Sequence, residues 1–171
     1  MRILRTFEEL AGDIYLAIGV FDGVHLGHQR VIGQARDDAK AAGGVSVVLT
    51  FDPHPMRVLR PDQAPLLLTS TEHKLALFRQ LGADACLLVT FDEAFSELPA
   101  AQFIERIASC RQVCVGTRFR FGHNRAGNVA LMEKLAPQYG FTVKEIKSVL
   151  TSDGEMISST AVRQHVLAGN L

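Results

Sequence analysis

The sequence predicts a doubly wound α/β fold with a mainly parallel sheet and helices on both faces. Apolar segments of strand length alternate with segments of helical periodicity along the chain. The predicted strands are rich in apolar residues without polar alternation, which is typical of strands buried on both faces. Gly, His, Pro and Phe concentrate after the strands, at 19–28, 51–60, 91–98 and 116–127. Ligands bind at the carboxyl ends of strands in such folds, so we expect a site there.

The first half of the chain contains three predicted strands, 13–21, 45–51 and 85–91. Two helices are predicted between them, at 27–43 and 69–82. The second helix opens with Thr69-x-x-Glu72, the pattern of a capping box. The segment 52–65 contains four prolines, so we expect a loop or short irregular turns there.

The second half continues the alternation as a single domain over residues 1–171. Helices are predicted at 99–109, 128–140 and 158–169, and strands at 112–116 and 141–149. Pro137 is expected to end or kink the helix that contains it. The residues 152–154, Ser-Asp-Gly, predict a tight turn.

Composition restricts the possible functions. Lys+Arg and Asp+Glu both number 18, so bulk charge favours neither nucleic acid nor any other polyanion as a partner. The start of the chain does not resemble a signal peptide, and no apolar segment is long enough to cross a membrane. The three cysteines, without a C-x-x-C pair, are expected to be buried reduced thiols of a cytoplasmic protein.

The segment "GVFDGVHLGH" combines a glycine-rich turn with the start of a helix. Gly19 and Gly23 suit a sharp turn, and Gly27 allows a ligand to approach the backbone. Free N–H groups and the dipole of a helix start attract phosphate, and His25 and His28 add further donors. The alternatives are a surface turn with two incidental histidines, or a zinc site. The nearest additional zinc ligands, His54 and Cys86, have no helpful spacing.

A second phosphate-binding pattern, "ISSTAVR", precedes the last predicted helix. Its hydroxyl groups, Ser158, Ser159 and Thr160, could cap the helix or donate to phosphate. Arg163 follows Thr160 by three residues and so lies on the same face, where a guanidinium could bind two phosphate oxygens. The alternative is an ordinary N-cap followed by a solvated arginine.

Together the two motifs resemble a nucleotidyltransferase superfamily that carries an H-x-G-H signature and a terminal I-S-S-T-x-x-R signature. The segments "TFDPHP", "LTSTEHKLALFRQLGAD", "FIE" and "VGTRFRFGHNRAGN" narrow the resemblance to the FMN adenylyltransferase module of the bacterial bifunctional FAD synthetase. The resemblance covers essentially the whole chain, with the motifs in the same order. It implies a Rossmann-like nucleotidyltransferase fold.

The resemblance also implies a reaction, in which ATP and FMN give FAD and pyrophosphate by direct in-line attack of the FMN phosphate, with Mg2+ accompanying ATP. It assigns stabilisation of charge at the α-phosphorus to His25 and His28. It assigns the leaving β- and γ-phosphates to Ser159, Thr160 and Arg163. The other ATP-binding residues that it implies are Gly19, Phe21, Asp22, Gly23, Gly27, Arg118 and Ser158.

The sequence indicates the flavin-binding residues less clearly than the ATP-binding residues. A wall for the isoalloxazine ring is expected from Phe51, Pro53, Pro55, Leu59, Phe103 and Phe121, although each could equally belong to ordinary packing. Asp52 is expected either to provide polar support in that pocket or to cap a helix or turn.

Three features depart from the family pattern. Arg118 stands where the family usually has Asp or Asn; it cannot coordinate magnesium, and it could bind phosphate or weaken activity. Met156 stands where some members carry a basic residue. The family usually continues into a riboflavin kinase module that these 171 residues lack, so we expect no riboflavin phosphorylation by this chain.

Two other functions stay open at this point. One is a flavin- or nucleotide-binding module with weak or no catalysis, which Arg118 and the missing module favour. The other is a sibling transferase that uses another phosphorylated acceptor, which the "FDPHP" and "FRFG" segments disfavour. The oligomeric state is not indicated by the sequence.

Overall fold

The computed structural model describes residues 1–170. Their strands are β1 (Arg2–Leu4), β2 (Ile14–Ile18), β3 (Val45–Asp52), β4 (Ala85–Thr90), β5 (Gln112–Gly116), β6 (Arg120–Phe121), β7 (Gly127–Asn128) and β8 (Thr142–Ile146). Six of these strands form one sheet in the order β1-β4-β3-β2-β5-β8, and all neighbours are parallel. The short β6 and β7 pair antiparallel in a separate sheet.

Helices connect the strands and cover both faces of the sheet. They are α1 (Leu26–Ala42), α2 (Pro55–Leu59), α3 (Thr71–Gln80), α4 (Glu93–Ser96), α5 (Ala100–Arg106), α6 (Val129–Tyr139) and α7 (Ser159–Leu167). Successive strand residues point to opposite faces, so Val48 packs with α1 and α3 while Val47 and Leu49 pack with α5 and α6. Both core halves are fully buried, since Val47 and Leu49 on one face are 0% exposed and Val48 on the other is 1% exposed. Each such side chain contributes about 1.5–3 kcal/mol by burial.

The order of the strands creates a switch point between β2 and β5. From β2 the chain moves outward through β3 to β4, and it then crosses back to place β5 on the other side of β2. Connections leave the carboxyl ends of β2 and β5 in opposite directions, and this opens a crevice between them. The segments 19–28 and 116–127 therefore lie side by side at the carboxyl edge of the sheet, where the sequence predicted each of them.

The predicted parallel α/β architecture is confirmed, and all five predicted strands and five predicted helices are present. The short edge strand β1 was missed because three residues are too few to show periodicity. It exists through its parallel pairing with β4, which only the folded chain provides.

Two local predictions were wrong, those for the cap of α3 and for the segment 52–65, and one alternative for Pro137 was not met. Helix α3 is capped by Ser70, whose Oγ accepts the His73 N–H at 3.1 Å, while the Thr69 hydroxyl accepts the Gly23 N–H from another part of the chain. Helix α6 does not end at Pro137 but continues to Tyr139, after which Gly140 has a left-handed φ of 77°, and a kink at Pro137 stays a prediction. The segment 52–65 contains the regular helix α2, which begins with Pro55 in its first turn.

Candidate active site

Three cavities meet at the carboxyl ends of β2 and β5, and Val20 lines all of them. The polar cavity, about 520 Å³, lies between the start of α1, the end of β5 and the start of α7. The aromatic cavity, about 340 Å³, lies beside α2 and the β6–β7 pair. A small cavity of about 210 Å³ lies beside the polar one and is lined by His28, Asp22 and Arg163.

The turn between β2 and α1 has an unusual backbone. Phe21 and Val24 adopt positive φ values of 56° and 40°, and Gly23 adopts 79°. Side chains other than glycine disfavour this region, so the surrounding structure must hold the turn in place. The Phe21 ring is 2% exposed and packs edge-on against Phe78. A Cβ at Gly19 would lie 2.8 Å from the Phe21 ring, which explains the glycine at that position.

The two histidines of the motif are stacked on one another. His25 is the N-cap of α1, and its Nδ1 accepts the His28 N–H at 3.4 Å. The two ring centroids are 3.6 Å apart, with an angle of 22° between the planes. A Cβ at Gly27 would lie 3.1 Å from the His25 ring, so the glycine lets this ring lie close to the helix start.

The electrostatic environment favours the neutral form of both histidines by lowering their pKa values. Burial, the neighbouring His25 and the Lys74 charge lower the pKa of His28 to about 3. Burial and the Arg118 charge also lower the pKa of His25. The Nδ1 atom of His28 is buried and has no hydrogen-bond partner within residues 1–170. A buried polar atom without a partner is uncommon in folded proteins and is often found at a catalytic site, and the His28 residue lines both the polar and the small cavity.

Asp22 joins three separate segments of the chain. Its Oδ1 accepts the backbone N–H groups of Leu68 at 2.9 Å and Thr69 at 3.2 Å. Its Oδ2 pairs with Arg163 Nη2 at 2.7 Å, and the side chains of this pair are 6% and 17% exposed. Arg163 Nε also donates to the Leu66 carbonyl at 2.7 Å. Arg163 thus attaches α7 to the β2–α1 turn, a role that its sequence position did not reveal.

The start of α7 faces the histidines, as the sequence predicted. Ser158 is the N-cap, and its Oγ accepts the Ala161 N–H at 3.2 Å. The Ser159 hydroxyl donates to the Asp22 carbonyl at 2.8 Å, while Thr160 is exposed at the rim. Ser159 and Thr160 line both the polar and the small cavity, so the structure brings the two distant motifs together.

The aromatic cavity has the character expected of a site for a flat ring. Six phenylalanines line it: Phe51, Phe91, Phe95, Phe103, Phe119 and Phe121. The predicted residues Pro55 and Leu59 line it as well. Phe119 and Phe121 are stacked with centroids 5.5 Å apart. The sequence prediction missed Phe91, Phe95 and Phe119, although each lies at or near the carboxyl end of a strand.

Pro53 does not line the aromatic cavity, so its predicted place in the wall was wrong, and Asp52, for which polar support of the pocket was one of two predicted roles, does not line the cavity either. Neighbouring strand residues point to opposite sides, and Phe51 already faces the cavity. The Asp52 carboxylate instead accepts the Thr71 hydroxyl at 3.1 Å, and both Asp52 and Pro53 are exposed.

Lys74 is the buried charge that the sequence prediction missed. This residue of α3 is 6% exposed, and its Nζ donates to Val20 O, Thr50 Oγ1 and Phe51 O at 3.1–3.3 Å. Within residues 1–170 it forms no salt bridge. Burial lowers the pKa of Lys74. The lysine thereby connects the carboxyl ends of β2 and β3 below the site. Its only sign in the sequence is a charge on the apolar face of α3.

No metal cage exists within the described residues, where no three His, Cys, Asp or Glu side chains converge. His54 caps α2 through an Nδ1 that accepts the Met56 N–H, and Cys86 is fully buried in β4. Both Asp22 oxygens already accept hydrogen bonds. Nucleotide-bound Mg2+ takes most of its ligands from phosphate and water, so these residues fit a magnesium ion that arrives with its nucleotide.

A parallel α/β sheet with a histidine-bearing helix start at its switch point defines a nucleotidyltransferase-like fold. A crystal structure of a macrolide-efflux protein from Streptococcus pneumoniae shares this fold with a TM-score of 0.81. The likeness covers 99% of this chain and 58% of that chain at 24% identity, and it concerns the fold alone. The chain belongs to the FAD synthetase family, whose family model matches residues 8–161.

Two curated relatives illustrate the extent of the match. The bifunctional riboflavin kinase/FMN adenylyltransferase of Escherichia coli (strain K12) is 35% identical over 179 residues, which cover 100% of this chain and 57% of the relative. A putative bifunctional riboflavin kinase/FMN adenylyltransferase of Geobacillus thermodenitrificans (strain NG80-2) is 38% identical over 156 residues, which cover 90% of this chain and 83% of the relative. The chain therefore spans little more than half of the E. coli protein.

Proposed function

We propose that this chain transfers AMP from ATP to FMN, giving FAD and pyrophosphate. The observation that carries the proposal is the shared wall of two unlike cavities, at Val20, Arg118 and Phe119. The polar cavity, with two helix starts and two histidines, suits a triphosphate. The aromatic cavity suits an isoalloxazine ring. A phosphate on the ring side can therefore reach an α-phosphorus on the polar side.

The proposed chemistry is one in-line displacement. An oxygen of the FMN phosphate forms a bond to the α-phosphorus, and the bond from that phosphorus to the β-bridging oxygen breaks, which releases pyrophosphate. A phosphate oxygen near the His28 ring would raise the pKa of the imidazole, so His28 could gain a proton and donate to the developing charge. Ser159 and Thr160 line both the polar and the small cavity, Arg163 lines the small one, and these three residues would meet the leaving phosphates. Magnesium would supply further charge neutralisation when it is bound with ATP.

The test measures whether the chain forms FAD from FMN and Mg-ATP. FAD is detected by chromatography, and the release of pyrophosphate is measured in the same reaction. We expect activity in the wild type and a loss of about 100-fold or more in His28→Ala, since one charge-stabilising donor contributes that much. His73→Ala, which changes an exposed histidine of α3, is the matched control and should retain turnover. Unchanged turnover in His28→Ala would refute the assigned role.

The same assay separates the other candidate functions. A module that only binds flavin or nucleotide would hold FMN without releasing pyrophosphate, and a sibling transferase would prefer another phosphorylated acceptor. A cytoplasmic location stays a prediction, which the three free and buried thiols support. A riboflavin kinase module as a partner in the full-length protein is also a prediction. Within residues 1–170, no helix combines the length and apolar character needed to cross a bilayer.

A further inference from the structure

Two arginines lie where the aromatic and the polar cavity adjoin. This place, lined by residues that belong to both cavities, forms a passage from one cavity to the other. Arg118 and Arg125 each line both cavities, whereas Arg120, between them in the sequence, lines only the aromatic one. Arg118 follows the end of β5, and Arg125 lies in the turn between β6 and β7. Two different segments of the chain therefore each place one guanidinium group at the same passage.

The backbone holds Arg125 in a defined place. Asn124 and Arg125 both adopt left-handed φ values, 53° and 59°, a region that asparagine tolerates and arginine disfavours. The turn is held by the Arg125 N–H to the Gly122 carbonyl at 3.0 Å and by the His123 N–H to the Leu98 carbonyl at 2.8 Å. Gly122 packs so closely on α5 that a Cβ would lie 2.6 Å from the Ala100 Cα. The turn is thus docked on α5, and Arg125 with it.

Neither arginine has an acidic partner. Within residues 1–170, Arg118 and Arg125 form no salt bridge and no side-chain hydrogen bond, and both are exposed. The carboxylate of the site, Asp22, is already paired with Arg163. Arg118 also lies near enough to His25 to lower the pKa of that imidazole. The passage therefore carries two positive charges that nothing in the described chain neutralises.

We propose that Arg118 and Arg125 jointly bind the phosphate of the acceptor and so select a phosphorylated flavin over an unphosphorylated one. This inference rests on the proposed function, in which the ring occupies the aromatic cavity and the reacting phosphate points into the polar one. Two guanidinium groups match a phosphomonoester dianion in charge and in hydrogen-bond geometry. They would also hold the attacking oxygen toward the α-phosphorus.

The test compares the affinities for FMN and riboflavin, measured by quenching of flavin fluorescence in the absence of ATP. We expect Arg118→Gln and Arg125→Gln each to weaken FMN binding about tenfold or more, since each removes a charge-assisted contact. Riboflavin binding should stay within about twofold of the wild type. Arg120→Gln removes the same charge from the same loop and should keep the wild-type ratio of the two affinities.

Three outcomes would overturn the inference. The first is equal affinity of the wild type for FMN and riboflavin. The second is a parallel loss of both affinities in the variants, which would indicate a structural role. The third is weakened binding of Mg-ATP in Arg118→Gln with unchanged FMN binding, which would place this arginine on the nucleotide. If FMN is preferred but no FAD forms, the phosphate site stands and the proposed catalytic function fails.

Discussion

Lowering the pH from 7.5 to 5 should destabilise the fold through His28. Its Nδ1 is buried without a partner, beside the stacked His25 ring and near the Lys74 charge. These surroundings lower the pKa of His28 from 6.5 to about 3 in the folded chain. The unfolded chain then binds a proton more readily than the folded chain does. The contribution of neutral His28 to the free energy of unfolding is therefore complete above pH 6.5, and it is lost as the pH falls toward about 3.

The expected magnitude follows from this difference in pKa. Each pH unit between the two values changes the free energy of unfolding by about 1.4 kcal/mol. At pH 5 the His28 contribution has fallen by about 2 kcal/mol, and the full effect near pH 3 is about 4–5 kcal/mol. The variant His28→Gln keeps a polar side chain but does not titrate, so it lacks this contribution.

The assay is urea unfolding at pH 7.5 and pH 5 for the wild type and His28→Gln. The loss of free energy of unfolding between the two pH values should be about 2 kcal/mol smaller in the variant. The comparison uses only the difference between pH values, so a constant effect of the substitution cancels. His73→Gln is the matched control and should behave as the wild type does. Equal pH dependence in His28→Gln and the wild type would refute the electrostatic account of this site.

Three further predictions concern buried groups. Asp22→Asn should lower the free energy of unfolding by about 3 kcal/mol in urea at pH 7.5, because it leaves Arg163 without its buried partner; a loss below about 1 kcal/mol would contradict the joining role of Asp22. Lys74→Met should cost about 1–3 kcal/mol in the same assay, since it removes the three buried hydrogen bonds that the ammonium donates; increased stability would show that the buried charge costs more than its hydrogen bonds contribute. The three cysteine thiols, whose burial raises their pKa values to about 11–12, should resist a thiol-reactive reagent until denaturant is added, and fast labelling of the folded chain would contradict their burial.

The candidate site could be predicted only in part, and the errors have a common cause. The histidines and the start of α7 stand out because turn chemistry and helix starts are local properties of the chain. Lys74 and the pairing of Asp22 with Arg163 do not, since their partners lie at least 23 residues away. The capping of α3 by Ser70 has the same origin, because the neighbouring hydroxyl of Thr69 is taken by Gly23 across the fold.

The sequence by itself determined the alternation of strands and helices, the parallel sheet and the family, because periodicity and motifs are carried by neighbouring residues. The tertiary structure alone decided which side chains meet. It paired Asp22 with Arg163, placed Lys74 against the carboxyl ends of β2 and β3, and brought Arg118 and Arg125 to one passage. The physical reason is that strand order and the docking of loops set distances between remote residues. The motif "GVFDGVHLGH" therefore forms a site only in the folded chain, where β5 and α7 lie beside it.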